Sequence, residues 1–408
     1  LQGARADGLP MSRAEHLAVH GPLPAAARHD AKHLQAALAG AGLRGRGGAG
    51  FPVARKLAVA LDAGGRGPLV VNATEGEPAS LKDGTLVGLV PHLVLDGAQL
   101  AARSVRAREV VVAVHEGGPL PAVLERALRE RPDDAVPTRL LQVPARYLSG
   151  EASALARAAA GGPSRPVLHD VPLAVRGPAG RPTVVLNAES VADLALYLLH
   201  GPARYAGHGT PEEPGTLLVT VRSSGTRPAV LEVPLGTPVR DVLSAVAVPP
   251  ADVQAVLLGG YFGRWLRAPA ALDVPLSHAG ARAAGGVLGA GVVMALTGHE
   301  CGLRATAHAV RYLAGESAGQ CGPCTNGLPA IATDLERLVG GFADPGVLER
   351  LRRRCGLVEG RGLCSLPDGV SSLVASALTA FADDLEAHLG QGCGRPAGAA
   401  LAVPALVA

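Results

Sequence analysis

The segment V-V-N-A-T-E-G-E-P-A-S-L-K-D, residues 70–83, indicates the fold of the first half of the chain. It begins with a short β-branched apolar run and becomes polar where a strand of ordinary length ends. Alternating strands and helix-period segments, such as Leu86 to Ala102, favour a mainly parallel α/β domain over roughly residues 30–205. Comparable apolar runs predict strands at Leu69–Asn72, Val110–Val114, Leu140–Val143 and Val184–Asn187.

The polar half of this segment follows the carboxyl end of the first predicted strand. In parallel α/β domains, ligands bind at that edge of the sheet. Asn72 offers a donor and an acceptor to a heterocycle, while Glu75 and Glu77 offer acceptors. Solvated loop charges are the alternative interpretation of the same residues.

Upstream, the segment A-G-L-R-G-R-G-G-A-G-F-P-V-A-R-K, residues 41–56, is a glycine-rich loop. Its glycines allow backbone N–H groups to approach an anion with no Cβ in the way. Arg44, Arg46 and Lys56 add positive charge, and lysine is rare in a chain whose basic residues are nearly all arginine. A phosphate-binding loop is predicted, with a flexible turn as the alternative. The spacing does not match the Walker A pattern of NTPases.

Composition and charge exclude several classes of protein. The formal net charge is +3 over 408 residues and no block of Lys or Arg stands out, which argues against binding to nucleic acid or an anionic membrane. No secretory signal is visible, and the most apolar run, Ala283 to Thr297, is shorter than the ~20 residues of a membrane-spanning helix. A soluble cytoplasmic protein is expected, in which six cysteines favour metal or redox chemistry over disulfides.

The middle of the chain predicts a small β-grasp-like module. A connector rich in Gly, Pro and Glu at 207–215 precedes two strands joined by a Ser-Ser-Gly turn. Thr237 and Pro238 begin a predicted helix, and Val256–Leu258 supplies another strand.

After residue 300 the apolar residues recur at helical spacing, which predicts a compact helical bundle with cysteines in its loops. The apolar stripes consist of Leu303, Ala307, Val310 and Ala314; of Leu328, Ile331, Leu335 and Leu338; and of Val370, Val374, Leu378, Phe381, Leu385 and Leu389.

The loop before the second stripe contains Cys321 and Cys324 in the sequence C-G-P-C. Two thiolates do not complete a tetrahedral metal site or an iron–sulfur cluster. A thioredoxin-type redox pair is the alternative, but such a pair follows a strand, whereas helical patterns flank this one on both sides. Further ligands are therefore expected elsewhere in the chain.

Four ordered motifs resemble the NADH-binding flavoprotein subunit of respiratory complex I and of related soluble hydrogenases and formate dehydrogenases. The E-S-x-G-Q-C-x-P-C run at 316–324 is similar to the same family's iron–sulfur motif, so the resemblance covers about residues 30–390. The four motifs are G-L-R-G-R-G-G-A-G-F-P (42–52), N-A-x-E-G-E-P-x-S-x-K-D (72–83), Y-L-S-G-E-x-S-A-L (147–155) and R-P-T-V-V-L-N-A-E-S (181–190).

The resemblance implies an α/β fold class in several domains and a set of cofactor sites. The domains are an N-terminal segment at 1–30, an FMN- and NAD-binding α/β domain at 31–206, a soluble-ligand-binding β-grasp domain at 215–282, a helical iron–sulfur domain at 298–390 and a tail at 391–408. The implied cofactor-binding residues are Gly45, Arg46, Gly47, Gly48, Gly50, Phe51, Lys56, Asn72, Glu75, Tyr147, Gly150, Glu151, Asn187 and Ser190. Glu77 and Tyr147 would have catalytic roles beside the nicotinamide.

The family's cluster uses a C-x-x-C-x-x-C run and a distant fourth cysteine. Here Ala318 stands at the first of these positions, and Cys321, Cys324 and Cys364 match the others. Cys355 is the predicted replacement ligand of a 4Fe–4S cluster, with Cys301 as the runner-up. A three-thiolate cluster and a zinc site remain open, and Cys393 in the Gly-rich tail is expected to be a lone thiol.

Several family positions near the nicotinamide differ in this chain. Ala152 replaces a second glutamate, and Leu57 and Val59 replace aromatic residues. Thr74 replaces an aspartate and Leu186 an asparagine. These changes remove a carboxylate and stacking surface, while the positions that contact the flavin are mostly kept.

The predicted function is electron transfer from NAD(P)H to FMN and then to an iron–sulfur cluster and a ferredoxin-like protein subunit. Whether the chain is an enzyme by itself stays open. The alternative is a flavin and cluster relay subunit that has lost nicotinamide binding, and an assembly scaffold without cofactors is a third interpretation.

Overall fold

The computed structural model describes residues 4–23, 31–390 and 392–398, so the predicted N-terminal segment and tail lie partly outside the described residues. The chain divides into two compact units. The first unit contains the residues up to Gly76, Leu81–Leu218 and Glu232–Leu235. The second unit contains Glu77–Ser80, Val219–Leu231 and the residues from Gly236 onward.

The first unit is a parallel α/β domain, as predicted. Its sheet has the order β3-β2-β1-β4, and each neighbouring pair is parallel. Nearly all residues of β1, β2 and β4 are buried, which is why their sequences are continuous runs of apolar, mostly β-branched residues. The elements are α1 Arg13–His20, α2 Ala31–Ala39, α3 Val53–Asp62, β1 Leu69–Asn72, α4 Lys82–Leu89, α5 Pro91–Ser104, β2 Val110–His115, α6 Leu120–Arg129, β3 Thr138–Val143, α7 Ala152–Ala159, β4 Val184–Asn187, α8 Ala188–His200 and α9 Pro202–Ala206.

The helical segment predicted around 86–102 is two helices rather than one. α4 and α5 meet at Val90 with a bend of 98°. Pro91 starts α5 because proline has no N–H to continue the preceding ladder and fits the first turn of a new helix. No single helix among the described residues has the length and apolarity to cross a membrane; this bent pair passes that test only when its halves are added together.

The next sheet has the order β6-β5-β9-β7-β8. Its centre is β9, which is parallel to β5 and antiparallel to β7. The β-grasp module predicted at 215–282 ends before β9. This strand could not be recognised in the sequence, because a Gly-rich run precedes it and its partners are distant in the chain. The elements are β5 Thr216–Ser223, β6 Ala229–Pro234, α10 Val239–Ala245, β7 Val253–Leu258, β8 Arg264–Arg267, α11 His278–Ala283 and β9 Val292–Thr297.

The rest of the second unit is the predicted helical bundle. The first two apolar stripes lie buried on α12 and α13. The third stripe is divided between two helices that meet at Phe381, and its last member, Leu389, is 45% exposed. The helices are α12 Gly302–Gly315, α13 Leu328–Val339, α14 Val347–Val358, α15 Leu366–Ala380 and α16 Ala382–Leu389.

Packing joins this bundle to the sheet within the second unit. The Trp265 side chain of β8 lies edge-on to Phe381, with 5.0 Å between ring centroids. Its indole N–H donates to the hydroxyl of Thr306 on α12 at 3.0 Å, so the polar atom of a buried Trp is satisfied. The β-grasp sheet and the helices therefore share one core.

Candidate functional site

The carboxyl ends of β1 and β4 lie side by side, with Asn72 in register with Asn187. The Asn72 amide donates to the Gly150 carbonyl at 2.8 Å and so attaches the 3₁₀ turn Tyr147–Gly150 to this edge. A Cβ on Gly150 would lie 2.4 Å from Thr74 Oγ1, so only glycine fits at that position. Three of the sequence motifs thus meet at the edge where parallel sheets bind ligands.

The glycine loop is closed on itself. The Gly45 N–H donates to the Phe51 carbonyl at 3.0 Å. Gly48 and Gly50 have φ angles of 119° and 62°, which side-chain-bearing residues rarely adopt. The loop thus has a defined backbone geometry, while its role in binding phosphate stays a prediction.

The same loop is docked on the end of β4 and the start of α8. The Arg46 N–H donates to Ser190 Oγ at 2.8 Å. A Cβ on Gly47 would lie 3.3 Å from Asn187 Cβ, which is a tight contact. The glycine-loop motif therefore meets the other three motifs at the same edge of the sheet.

The side chain of Arg46 holds the loop rather than facing a ligand. It is 2% exposed, its Nε pairs with Asp193 at 3.0 Å and its Nη2 donates to the Thr216 carbonyl at 2.8 Å. The guanidinium charge is thus balanced inside the protein. A cofactor-binding role for Arg46, which stays a prediction, would have to use its backbone.

Lys56 differs from Arg46 in having no carboxylate partner among the described residues. Its Nζ donates to the Val185 carbonyl of β4 at 3.2 Å. Burial lowers the pKa of this ammonium group. A nearby anion would offset that cost, so Lys56 fits the predicted phosphate site.

Lys82, by contrast, is a structural cation. It is fully buried and pairs with Asp83 at 2.7 Å and Glu189 at 2.9 Å. It also donates to Asn187 Oδ1 at 3.1 Å, and Asn187 Nδ2 donates to Asp83 Oδ2 at 2.7 Å. This network, which the sequence did not reveal, fixes the end of β4 beside α4.

Two predicted cofactor-binding glutamates cap helices. Glu75 has a φ of 50° and accepts the first N–H groups of α4 from Asp83 and Gly84, both at 2.9 Å. Glu151 accepts through Oε2 from the backbone N–H groups of residues 153 and 154 at the start of α7. These bonds stabilise the loop geometry, and the cofactor contacts of both residues stay predictions.

The predicted catalytic Glu77 belongs to the second unit. Its carboxylate accepts the Tyr261 N–H at 2.8 Å and the Ala79 N–H at 3.1 Å. In the first unit, Tyr147 is half-buried in its 3₁₀ turn, and the Phe51 ring is 43% exposed with the Arg55 guanidinium 5.8 Å from its centroid. The exposed ring offers stacking surface, while the catalytic roles of Glu77 and Tyr147 stay predictions.

The cysteines that match the cluster motif lie near one another. Cys324 is buried in an irregular π-helical turn, Pro323–Gly327. Burial, followed by the thiols of Cys321 and Cys364, raises the pKa of the Cys324 thiol to about 12, and a hydrogen bond with Ser317 opposes the rise. Cys321, Cys364 and Ser317 thus lie near enough to Cys324 to shift its pKa, but the Sγ atoms of the three cysteines do not all lie within 4.8 Å of one another. The sequence analysis had not considered Ser317.

The structure does not group Cys355 with these thiols. Cys355 is buried on α14, and burial raises the pKa of its thiol to about 11. The neighbours that shift this pKa are Ser371, Glu359 and Asp334, and none of them is a thiol. Cys355 stays a predicted ligand without geometric support. Ser317 directly precedes Ala318, where the family has a cysteine, and this adjacency is the sequence feature that could have suggested it.

Comparison with known proteins finds two matching family models. The Nuo51 FMN-binding domain matches residues 38–196. The NADH-ubiquinone oxidoreductase-F iron-sulfur binding region matches residues 304–388. The first range contains the glycine loop and the ends of β1 and β4, and the second contains Cys321, Cys324 and Cys364.

Whole-chain relatives agree with both models. The F subunit of NADH-quinone oxidoreductase from Streptomyces coelicolor is 31% identical over 371 residues, which cover 86% of this chain and 82% of the relative. An F subunit of the same enzyme from Rhizobium meliloti, numbered 2 in that organism, is 28% identical over 369 residues, covering 85% and 86%. A crystal structure of air-oxidized NAD⁺-reducing NiFe hydrogenase matches with a TM-score of 0.82 and 31% identity over 90% of this chain. The match spans 65% of that hydrogenase chain, just under two thirds.

Proposed function

The chain belongs to the family of NADH-quinone oxidoreductase F subunits, and from this premise we propose that it transfers electrons from NAD(P)H through FMN to an iron–sulfur cluster. The observation that carries the proposal is the half-buried Lys56 ammonium beside a closed glycine loop, at the edge where β1 and β4 end. Backbone N–H groups of the loop and the Lys56 ammonium would hold the terminal phosphate of FMN.

FMN, when bound, supplies the chemistry that couples a two-electron hydride donor to one-electron acceptors. The protein positions it. The hydrogen bond from the Asn72 amide to the Gly150 carbonyl holds the 3₁₀ turn at the end of β1. The hydrogen bond from the Arg46 N–H to Ser190 Oγ holds the glycine loop at the start of α8. Phe51 offers an exposed aromatic face for stacking.

The cluster site lies in the second unit. Cys321, Cys324 and Cys364 would supply thiolates to iron. Ser317 lies close enough to Cys324 to lower the pKa of its thiol, against the effect of burial. We propose Ser317 as the fourth ligand ahead of Cys355.

A second candidate function is that of a flavin and cluster relay subunit without nicotinamide binding. Three positions favour it. Ala152, the first residue of α7, offers no carboxylate, and Leu57 is completely buried in α3, where it offers no stacking surface. The carboxylate of Glu77 already accepts two backbone N–H groups.

An anaerobic absorbance experiment separates these functions. The protein is loaded with FMN, iron and sulfide, and its spectrum is recorded before and after NADH is added. Bleaching of the flavin bands supports the oxidoreductase. Flavin and cluster bands that respond to dithionite but not to NADH or NADPH support the relay subunit, and a protein that retains neither cofactor contradicts both.

The acceptor is a further part of the proposal. The Streptomyces and Rhizobium relatives are subunits of a larger oxidoreductase, and a redox partner subunit would receive the electrons from this chain. A ferredoxin-like partner fits an iron–sulfur donor, because both carry one electron at a time.

A further inference from the structure

A second group of metal-ligating side chains lies outside the cluster motif. The ligand atoms of Cys301, His388 and Cys393 are all within 4.8 Å of one another. Cys301 and His388 are both 0% exposed, and Cys301 Sγ lies 3.3 Å from His388 Nε2. Among the described residues, this is the one group of three or more His, Cys, Asp or Glu side chains with such spacing.

Three parts of the second unit build this group. Cys301 is the N-cap of α12, and its Sγ accepts the Arg304 N–H at 3.4 Å. His388 lies in the last turn of α16. Cys393 lies in the segment that follows α16. The group therefore joins the start of one helix to the end of another.

The segment that carries Cys393 is held against α12 by its backbone. The Cys301 N–H donates to the Pro396 carbonyl at 2.7 Å, and residues 301 and 397 form a parallel bridge. Gly392 and Gly394 flank Cys393 with φ angles of 90° and 66°, which turn the chain sharply on both sides of the thiol. Cys393 is thus directed to this place by two glycine turns and is not a lone thiol, contrary to the sequence prediction.

We propose that Cys301, His388 and Cys393 bind one zinc ion, with water as the fourth ligand. Two thiolates and one imidazole form a ligand set that zinc uses in tetrahedral sites. Around such an ion the donor atoms lie about 3.6–3.8 Å apart, so the observed distance between Cys301 and His388 has to open by only a few tenths of an ångström.

The charges around the group are compatible with this ion. Two thiolates balance Zn²⁺, and the two thiol protons leave to solvent when the ion binds. Charged side chains close by include the Arg304 guanidinium, which with burial lowers the pKa of His388, and the Asp384 carboxylate, one turn before His388 on α16 and paired with Arg395. The ion would fasten the segment 392–398 to the bundle.

The test is metal analysis and zinc K-edge X-ray absorption on the full chain with its flavin and cluster. We expect about one zinc per chain, with two sulfur neighbours at about 2.3 Å and nitrogen or oxygen neighbours at about 2.0–2.1 Å. Cys393→Ser and, separately, His388→Gln should lower the zinc content at least severalfold while flavin and iron content stay unchanged. Cys355→Ser is the matched control and should keep its zinc.

Three results would overturn the proposal. They are protein that binds no zinc even from micromolar solution, Cys393→Ser protein that keeps a full equivalent, and an absorption spectrum that shows fewer than two sulfur neighbours. A mass two hydrogens lower, from a Cys301–Cys393 disulfide in protein purified under reducing conditions, would also contradict it. Because Cys393 is only half-buried, its serine variant is expected to fold even if the buried His388 variant does not.

Discussion

Two lysines of this chain differ in how the surrounding protein balances their charge. Lys82 is fully buried among Asp83, Glu189 and Asn187, so its charge is balanced by the protein. Lys56 is half-buried against a carbonyl group, with no carboxylate partner among the described residues. The rarity of lysine in the sequence drew attention to both, but only the contacts show that Lys82 is paired with carboxylates and that Lys56 donates to a carbonyl instead.

Lys56→Gln should weaken FMN binding roughly tenfold to a hundredfold. The substitution removes a charge-assisted hydrogen bond, which is worth about 1.5–3 kcal/mol. Quenching of flavin fluorescence during titration of apoprotein measures the change. The control is Lys32→Gln on the exposed face of α2, which should bind FMN like the unchanged protein. Equal affinity in the two variants would remove Lys56 from the phosphate site.

The fourth cluster ligand is also a question at this scale. Ser317→Ala should convert the cluster to a form with an open iron or lower its iron content, because Ser317 is the non-thiol side chain among the groups that shift the pKa of Cys324. Electron paramagnetic resonance and iron analysis report the change. Ala318→Cys, which restores the family's first cysteine, should raise cluster stability.

Cys355→Ser provides the comparison for these variants. If it destroys the cluster while Ser317→Ala leaves it intact, the sequence prediction of Cys355 holds and the geometric assignment is wrong. An intact cluster in Cys355→Ser, together with a damaged one in Ser317→Ala, gives the ligand role to the hydroxyl.

At the scale of elements, the sequence was most informative where structure is local. The bounds of β1 and β4 agree with the predicted ones, because buried parallel strands are short continuous apolar runs. β9 was missed because its partners are β5 and β7, distant in sequence, and because glycines precede it. The polar residues at the carboxyl end of β1 could also be predicted, because they directly follow the strand in the sequence. The hydrogen-bond network of Lys82 could not, because it joins residues more than a hundred positions apart.

Gly302→Ala should destabilise the second unit by about 1–3 kcal/mol through overpacking. A Cβ at this first residue of α12 would lie 2.1 Å from the Phe381 ring, which packs on Trp265. Thermal unfolding followed by Trp fluorescence measures the loss, since the chain has one Trp. Gly298→Ala is the control, because no atom lies within 4 Å of the added Cβ. Equal melting temperatures would show that the helix start moves to make room.

At the scale of the whole molecule, the sequence motifs predict two cofactor sites but not the group formed by Cys301, His388 and Cys393. The flavin motifs and the Cys321–Cys324 pair are contiguous patterns that can be read directly. Cys301, His388 and Cys393 are spread over 93 positions, counted inclusively from 301 to 393. The packing of α16 on α12 and the backbone pairing of residues 301 and 397 bring them together. A site assembled by chain-end pairing leaves no local pattern to detect.

The two cofactors should load independently, because the bonds that shape each site lie within one unit. The glycine loop is fixed by Ser190 and Asp193 of the first unit, and the thiols belong to the second. Lys56→Gln is therefore expected to keep its full iron content while it loses FMN, and Cys324→Ser to keep FMN while it loses iron. Flavin and iron per chain, measured on the same preparations, give the answer.

In Cys324→Ser, NADH should still bleach the flavin bands, but reduction of a one-electron protein acceptor should fall at least tenfold, since the cluster that passes single electrons is gone. Loss of both cofactors in either variant would mean that the units fold and load as one body.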